Sequence, residues 1–538
     1  MNVNKICAAV SALCFAGTAA MLAMNSRQES KVSAVSNLLG DVNGNGVVDG
    51  VDASTILAYY AYASAGHDGT TLEQFMAMRN SGTSTTAQTT TAPTTTTTAK
   101  PPDNIKLKSG GDTFTIAVWN ADDVPRLVSK WLNVSEDDVN KSEYDYSLSY
   151  YDRLRNPDIA LSSSLKTPYG SNLHIINFGI GGGDAPEKYE NMFKAGDDID
   201  VYYCEPDWMN KFTNYDNLTA PLSDLGFTDE DFAQCYSYTE KLGHNSKGVR
   251  KAAAFGVSPG GFAYRTDLAR LYLGINSPEE MQKAIGTWDG FVSTATKLAS
   301  LTYGKCALAD SVGGMFQAYC IQNQTIGSDG TMTENAKTFA DYAKTLWING
   351  GVTKNSQWTD KWTADGANDK VMGYFVSTWG IEQRAFMGIA SDNSIGKWEM
   401  VKGPDNFYWG GMWTVVSPKT DNADDCASFI RSSCLDSSSM LASAKSDTNY
   451  LPNNKAAVAE MLKSPKSYPL YDKSIFVTDN FMKVFANTAE NITPVTVSYD
   501  SQPTDTYHAF SYAIFDEYLR NGSTWSEAQA AYNKKRYY

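Results

Sequence analysis

Residues 113–538 of this 538-residue chain are expected to form an α/β domain in two lobes. Three observations support that expectation. Strand-like and helix-like segments alternate along the whole stretch, as layered α/β architecture requires. The helical segments carry start and stop chemistry at their ends. About 425 residues are also more than one hydrophobic core usually organises, so the length favours two lobes over one.

The elements can be placed in order. Phe114 to Trp119, Leu173 to Phe178 and Ile199 to Tyr203 are apolar runs of strand length. Ser277-Pro278-Glu279-Glu280 offers an N-cap, a proline at the first helical position and a glutamate to close a capping box. Thr333-Glu334 opens a helix that sets Phe339, Ala343 and Leu346 on one face, and Gly350-Gly351 ends it. Thr524 to Glu527 is a further capping box. The stretch from Ser135 to Tyr169 is insertion-like and has no assigned place.

Composition narrows the function. Lys and Arg total 45 against 60 for Asp and Glu, a formal net charge of -15. A nucleic-acid partner would call for a basic patch, so none is expected. The 12 Trp and 31 Tyr are read from composition first as large core residues, with stacking platforms as the competing reading. Hydrophobic residues at 42% are enough for a sizeable core. Beyond Cys7 and Cys14 there are Cys204, Cys235, Cys306, Cys320, Cys426 and Cys434, an even number that permits disulfides in an exported chain. No CxxC occurs and no spacing matches a zinc site. His67, His174, His244 and His508 are scattered, so a histidine-based metal or catalytic centre is not expected.

The first 26 residues read as an export signal. Lys5 precedes an apolar run from Ile6 to Met24. The run is also long enough to act as an uncleaved anchor. Leu13 and the apolar residues after Phe15 argue against lipid attachment at Cys14. The chain is therefore expected to be extracellular or attached at the cell surface.

Asp41 to Asp52 reads DVNGNGVVDGVD. Side-chain oxygens fall at loop positions of Asp41, Asn43, Asn45, Asp49 and Asp52, and Val47 offers its carbonyl. Gly46 sits where such a loop turns sharply. Calcium needs about six or seven oxygens, and this spacing supplies them, with Asp in place of the usual Glu at the last position. A helix follows, with Ile56, Leu57, Tyr60 and Ala63 as its apolar stripe. Residues 38–80 resemble a dockerin, the small all-α calcium module that plugs enzymes into cohesin-bearing scaffolds. Dockerins carry two loops; AGHDGTTLEQF does not supply the second. Residues 81–104 are dominated by Thr, with Pro93, Pro101 and Pro102. They have too little apolar surface to offset ordering entropy and read as an extended linker.

The large domain resembles the extracellular solute-binding proteins of ABC importers, family 1, in their carbohydrate-binding branch. Lys194 to Trp208 (KAGDDIDVYYCEPDW), Phe255 to Pro259 with Phe262 to Leu268, Thr287 to Phe291, Val371 to Gly380, and Gly410 to Val416 followed by Cys426 to Ile430 match the family's segments in order. The resemblance implies a periplasmic-binding-protein-like fold, with two lobes that close on ligand about a hinge. It implies a carbohydrate ligand, the importer's membrane subunits as partners and no catalysis.

A sugar presents apolar faces and hydroxyl pairs, which aromatic rings and carboxylates or amides match. On that chemistry and on position, the candidate ligand residues are Trp119, Asn120, Glu205, Asp207, Trp379, Trp409 and Trp413. Trp409 and Trp413 lead because they bracket Gly410-Gly411, where backbone can approach a ligand closely. Tyr264, Arg265 and Asp267 are expected to hold a turn, and Gly179 to Gly183 to be a strand-end turn rather than a phosphate loop, since no Lys-Ser/Thr follows. Two other functions compete. A glycoside hydrolase would need a placed pair of carboxylates, and an adhesin would favour polymer over short oligosaccharide.

Overall fold

The computed structural model of the chain describes residues 106–119, 124–141, 165–381, 389–390, 394–446, 451–468, 475–494 and 509–536. The signal segment, the dockerin-like module with its candidate calcium ligands, the Thr-rich linker and Asn120 lie outside them. Compactness divides the chain into residues 1–96 and 97–538, and the description below concerns the second unit.

Eleven strands occur among the described residues. They are β1 (Thr113–Val118), β2 (Asn172–Asn177), β3 (Val201–Cys204), β4 (Ala252–Ala254), β5 (Gly256–Val257), β6 (Gly260–Arg265), β7 (Ala307–Ala309), β8 (Val371–Ser377), β9 (Trp398–Val401), β10 (Trp413–Val416) and β11 (Leu451–Pro452). The three strands expected first appear within two residues of the sequence reading. β1 and β3 are buried nearly throughout, as expected of strands covered on both faces.

The strands form two main sheets, one per lobe. The N-lobe sheet runs β2-β1-β3-β10-β4. β1 is parallel to β2 and β3, and β10 is antiparallel to both β3 and β4. The C-lobe sheet runs β7-β8-β6-β9, with β6 antiparallel to β8 and β9. Each sheet has its own core. Phe114, Ile116, Val201, Tyr202, Val415 and Phe429 belong to the first, and Phe262, Phe291, Phe339, Tyr374, Trp398 and Phe485 to the second. Two cores in one unit are the physical content of the two-lobe expectation.

The chain passes between the lobes at three places. The first crossing is Phe255 to Pro259, between β4 and β6. The second is Trp409 to Met412, between β9 and β10. The third lies between Leu435, packed against the N-lobe core, and Leu441, packed against the C-lobe core. The crossings are bonded to one another. β11 pairs with β5, placing Leu451 opposite Val257 and Pro452 opposite Gly256, and Pro259 bridges to Tyr408. Leu242, on the helix Ser237–Gly243, packs against both cores.

The capping chemistry works largely as its residues suggest. Ser277 Oγ accepts the Glu280 N–H at 3.2 Å. The Glu280 carboxylate reaches the N–H of Asn276 (2.7 Å) rather than that of Ser277, so the box closes one residue early. Thr333 caps Glu334–Asn349, whose Phe339, Ala343 and Leu346 are fully buried, and Gly350 ends it in the left-handed region. The box of Thr524 and Glu527 is complete. Arg265 does hold a turn: its guanidinium forks onto Asp267 (2.8 and 2.8 Å) and also reaches Asp369 (2.6 Å). The permitted disulfides are not formed among the described cysteines. All six are thiols, five of them buried, and they pack as small apolar side chains.

Candidate functional site

The N-lobe half of the site lies where β1, β2 and β3 end. Ligands of open α/β sheets bind outside the carboxyl ends of the parallel strands, because loops and helix starts converge there. Phe178 N–H donates to the Val118 carbonyl (2.9 Å) and Ile180 N–H to that of Trp119 (2.9 Å). The Gly179–Gly183 turn is thereby tied to the end of β1, and it is a strand-end turn as expected. β3 runs into Glu205, Pro206 and Asp207.

Close packing sets the position of Glu205. A Cβ placed on Gly182 would overlap the Glu205 carboxyl, so only glycine lets the turn lie over it. Burial pushes this carboxyl up to about 8, and the charge of Asp207 pushes it the same way; the Trp208 indole offsets part. Asp207 keeps contact with solvent, yet the surrounding protein desolvates its carboxyl and raises it to about 6. A carboxyl raised in this way can donate to a hydroxylated ligand when protonated and accept from it when ionised.

The remaining candidates of this lobe lie deeper. Trp119 is buried edge-on against Trp208, with ring centroids 5.6 Å apart. Trp413 is 1% exposed, begins β10 and donates its Nε1–H to the Thr239 carbonyl at 3.2 Å. A ring so enclosed offers no face for stacking, which corrects the expectation placed on it. β10 enters between β3 and β4, which sets the Trp413 ring in the N-lobe core against the helix Ser237–Gly243. The glycines before it do bend the chain: Gly411 has φ +115° and lies against the Trp413 ring.

The C-lobe half is a cluster of four tryptophans. Trp379 and Trp409 meet edge to face at 5.6 Å, and Trp379 Nε1–H donates to the Trp409 carbonyl at 2.7 Å. Both rings touch Trp358, at 5.5 and 5.9 Å, and Trp358 touches Trp362 at 5.0 Å. Asp310 anchors the far end. Its carboxylate accepts from Trp362 Nε1 (2.8 Å) and from Ser311 Oγ (2.7 Å), and burial raises it to about 6. Trp358 is the outermost ring, 54% exposed and held at φ +64°.

A cavity of about 310 Å³ adjoins this cluster, lined among others by Ser311, Gly313, Asn355, Gln357, Ser511 and Phe515. Gln357 Nε2 is buried there with no hydrogen-bond partner among the described residues. An orphaned amide donor beside an exposed indole suits a ligand that carries acceptor oxygens.

Trp358 and Gln357 were not among the sequence candidates. A lone Trp in the polar run Asn355-Ser356-Gln357-Trp358-Thr359-Asp360 was the available signal, because a loop has little reason to bear one unless it is used. The structure thus joins Trp379 with Trp409 and Glu205 with Asp207, as two groups on different lobes. The second crossing links them: Trp409 belongs to the tryptophan cluster, and Trp413 pairs with Cys204, the residue before Glu205. Four residues of chain reach at most about 13 Å, and the bend at Gly410 and Gly411 shortens that reach.

No family model and no curated protein sequence matches the chain. Solved structures do match. An extracellular solute-binding protein of family 1 superposes with a TM-score of 0.59 at 15% identity, covering 79% of this chain and 99% of that one. The sugar-binding protein MalE of Xanthomonas citri gives 0.55 at 14% identity, covering 79% and 96%. The galacto-N-biose/lacto-N-biose I-binding protein of the ABC transporter from Bifidobacterium longum gives 0.53 at 14% identity, covering 79% and 98%. At such identities the likeness is one of fold, and the large domain has the two-lobed fold of extracellular solute-binding proteins.

Proposed function

We propose that residues 113–538 capture an oligosaccharide between the lobes and present it to the membrane subunits of an ABC importer, without hydrolysing it. The observation that carries this reading is the tryptophan cluster of the C-lobe, whose outermost ring lies open beside an unpaired buried amide. The apolar faces of a sugar match the rings. Its hydroxyls match Gln357 on one lobe and the Glu205–Asp207 pair on the other. Similarity of fold to binding proteins of ABC transporters supports the same reading. A ligand held by both lobes biases a hinge toward closure, which is how such a fold traps its cargo.

In this reading the segment of residues 38–80 is a calcium-holding, dockerin-like tether. Asp41, Asn43, Asn45, Val47, Asp49 and Asp52 are its ligands, and a cohesin-bearing scaffold is its partner. Export by the N-terminal signal places the whole at the cell exterior.

The experiment is a calorimetric screen of maltose, maltotriose, lacto-N-biose, cellobiose and β-1,6-galactobiose, with an assay for released reducing ends. Saturable binding of a short oligosaccharide and no new reducing ends is the expected result. Turnover would make the carboxylate pair a hydrolytic one, and binding of polymer alone would favour adhesion.

A further inference from the structure

One side chain in the hinge holds several of its segments at once. Asn453 follows β11 and is 1% exposed. Its amide oxygen accepts the Tyr236 N–H at 3.0 Å and shares the Thr239 hydroxyl proton (3.0 Å) with the Tyr236 carbonyl (2.7 Å). Its Nδ2 donates to the Ala254 carbonyl at 3.0 Å, and its backbone N–H donates to that of Phe255 at 3.2 Å. Tyr236 and Thr239 open the helix Ser237–Gly243, while Ala254 and Phe255 begin the first crossing. A single amide therefore ties the segment that follows β11 to the start of the first crossing, and both to a helix.

That helix belongs to both lobes. Tyr236 and Tyr238 lie in the C-lobe core. At its other end the Gly243 carbonyl accepts from Lys251 N–H (2.9 Å), and the Thr239 carbonyl accepts from Trp413, both of the N-lobe. The second crossing joins at one remove. Tyr408 stacks on Tyr238 at 5.5 Å and 15°, and the Tyr238 hydroxyl accepts the Ser258 N–H at 3.3 Å. The neighbouring residues add to the knot: Asn454 Nδ2 reaches the Leu435 carbonyl (3.2 Å), and Lys455 N–H that of Gln234 (2.8 Å).

Hydrogen bonds in a dry interior are directional, and removing one partner leaves the other unsatisfied. A hinge works through a few residues that absorb the change in angle while the rest stay fixed. An amide that fixes where three segments meet fixes the pivot. None of its partners is Glu205, Asp207, Trp358, Trp379 or Trp409, so its influence on ligand is indirect.

We propose that Asn453 is the pin of the hinge, a positioning residue that sets the distribution of interlobe angles and thereby the fraction of molecules able to close on a ligand. The inference takes the ligand-trapping reading as its frame, and its test needs no ligand.

Spin labels are placed at Lys194→Cys on the N-lobe and Tyr303→Cys on the C-lobe, both exposed positions. Pulsed electron resonance on the ligand-free protein reads the distance distribution between lobes. Asn453→Ala should broaden and shift the distribution. Asn453→Asp keeps both acceptor bonds but sets a carboxylate oxygen against the Ala254 carbonyl, so it too should shift the distribution. If Asn453→Ala does not fold, Thr239→Val removes one donor from the knot and carries the test by the same criterion. A distribution indistinguishable from the parent in the folded variant overturns the proposal, whatever its melting temperature. A protein that binds no sugar leaves this measurement intact, so the two failures are distinguishable.

Discussion

Trp358 occupies a region of backbone space that a bulky residue enters only at a cost, of order 1–3 kcal/mol. The cluster beneath holds it there, and the outcome is an aromatic face turned to solvent. Trp358→Ala should weaken oligosaccharide binding by about 1–3 kcal/mol, since one large ring no longer covers the ligand. Its melting temperature should fall only a little, because the ring removed is 54% exposed, while Ala keeps the Cβ that makes this backbone region costly. Calorimetry paired with thermal denaturation checks both. Gly182→Ala acts on the other lobe. The added methyl displaces the Glu205 carboxyl, so binding should fall while the fold persists. Glu205 also sets a pH dependence. Its folded value of about 8 lies above the ordinary carboxyl value, so the folded state holds a proton that the unfolded state releases. This contribution to stability is fully present below the ordinary value near 4.5 and is lost as pH rises through about 8. Melting temperature should therefore decline across that window, and Glu205→Gln should flatten part of the decline.

β10 shows why some elements could be read from the sequence and others could not. Phe114 to Trp119, the Thr524–Glu527 capping box and the Phe339–Ala343–Leu346 face are local signals, and each survives in the structure, whereas at Ser277 the cap forms but Glu280 reaches Asn276 instead. The place of β10 is not local: it enters between β3 and β4 from some two hundred residues away, and that pairing turns Trp413 from a candidate ligand contact into core. Likewise the polar loop of Trp358 carried a visible tryptophan, but its packing against Trp379 and Trp409 is a long-range contact that the sequence does not show. Glu205 and Asp207 were legible by position at a strand end. Trp413→Ala should cost about 3–5 kcal/mol of stability, the usual toll of emptying a large buried site. A variant that keeps its melting temperature and loses only ligand affinity would return Trp413 to the site.

At the scale of the molecule, capture and attachment are expected to be separable. A chain beginning at Pro102 should bind the same oligosaccharide with the affinity of the full protein, because the Thr-rich stretch has nothing apolar to pack on a neighbour. Two titrations check this, and a large difference would mean that the small module reaches the cleft. The isolated segment of residues 38–80 should gain helicity on calcium titration, and Asp41→Ala should abolish the gain.

The insertion of β10 also bears on how the protein comes into being. Synthesis proceeds from the N-terminus, so β1, β2 and β3 emerge long before the strand that flanks β3. Until residues 413–416 arrive, β3 presents an unpaired edge, the kind of surface on which chains associate wrongly. The lobe made first must therefore finish late, after the whole C-lobe sheet has emerged from the ribosome. A nascent chain halted near residue 400 should thus be the aggregation-prone species, and one halted after residue 446 should not recruit partners through that edge.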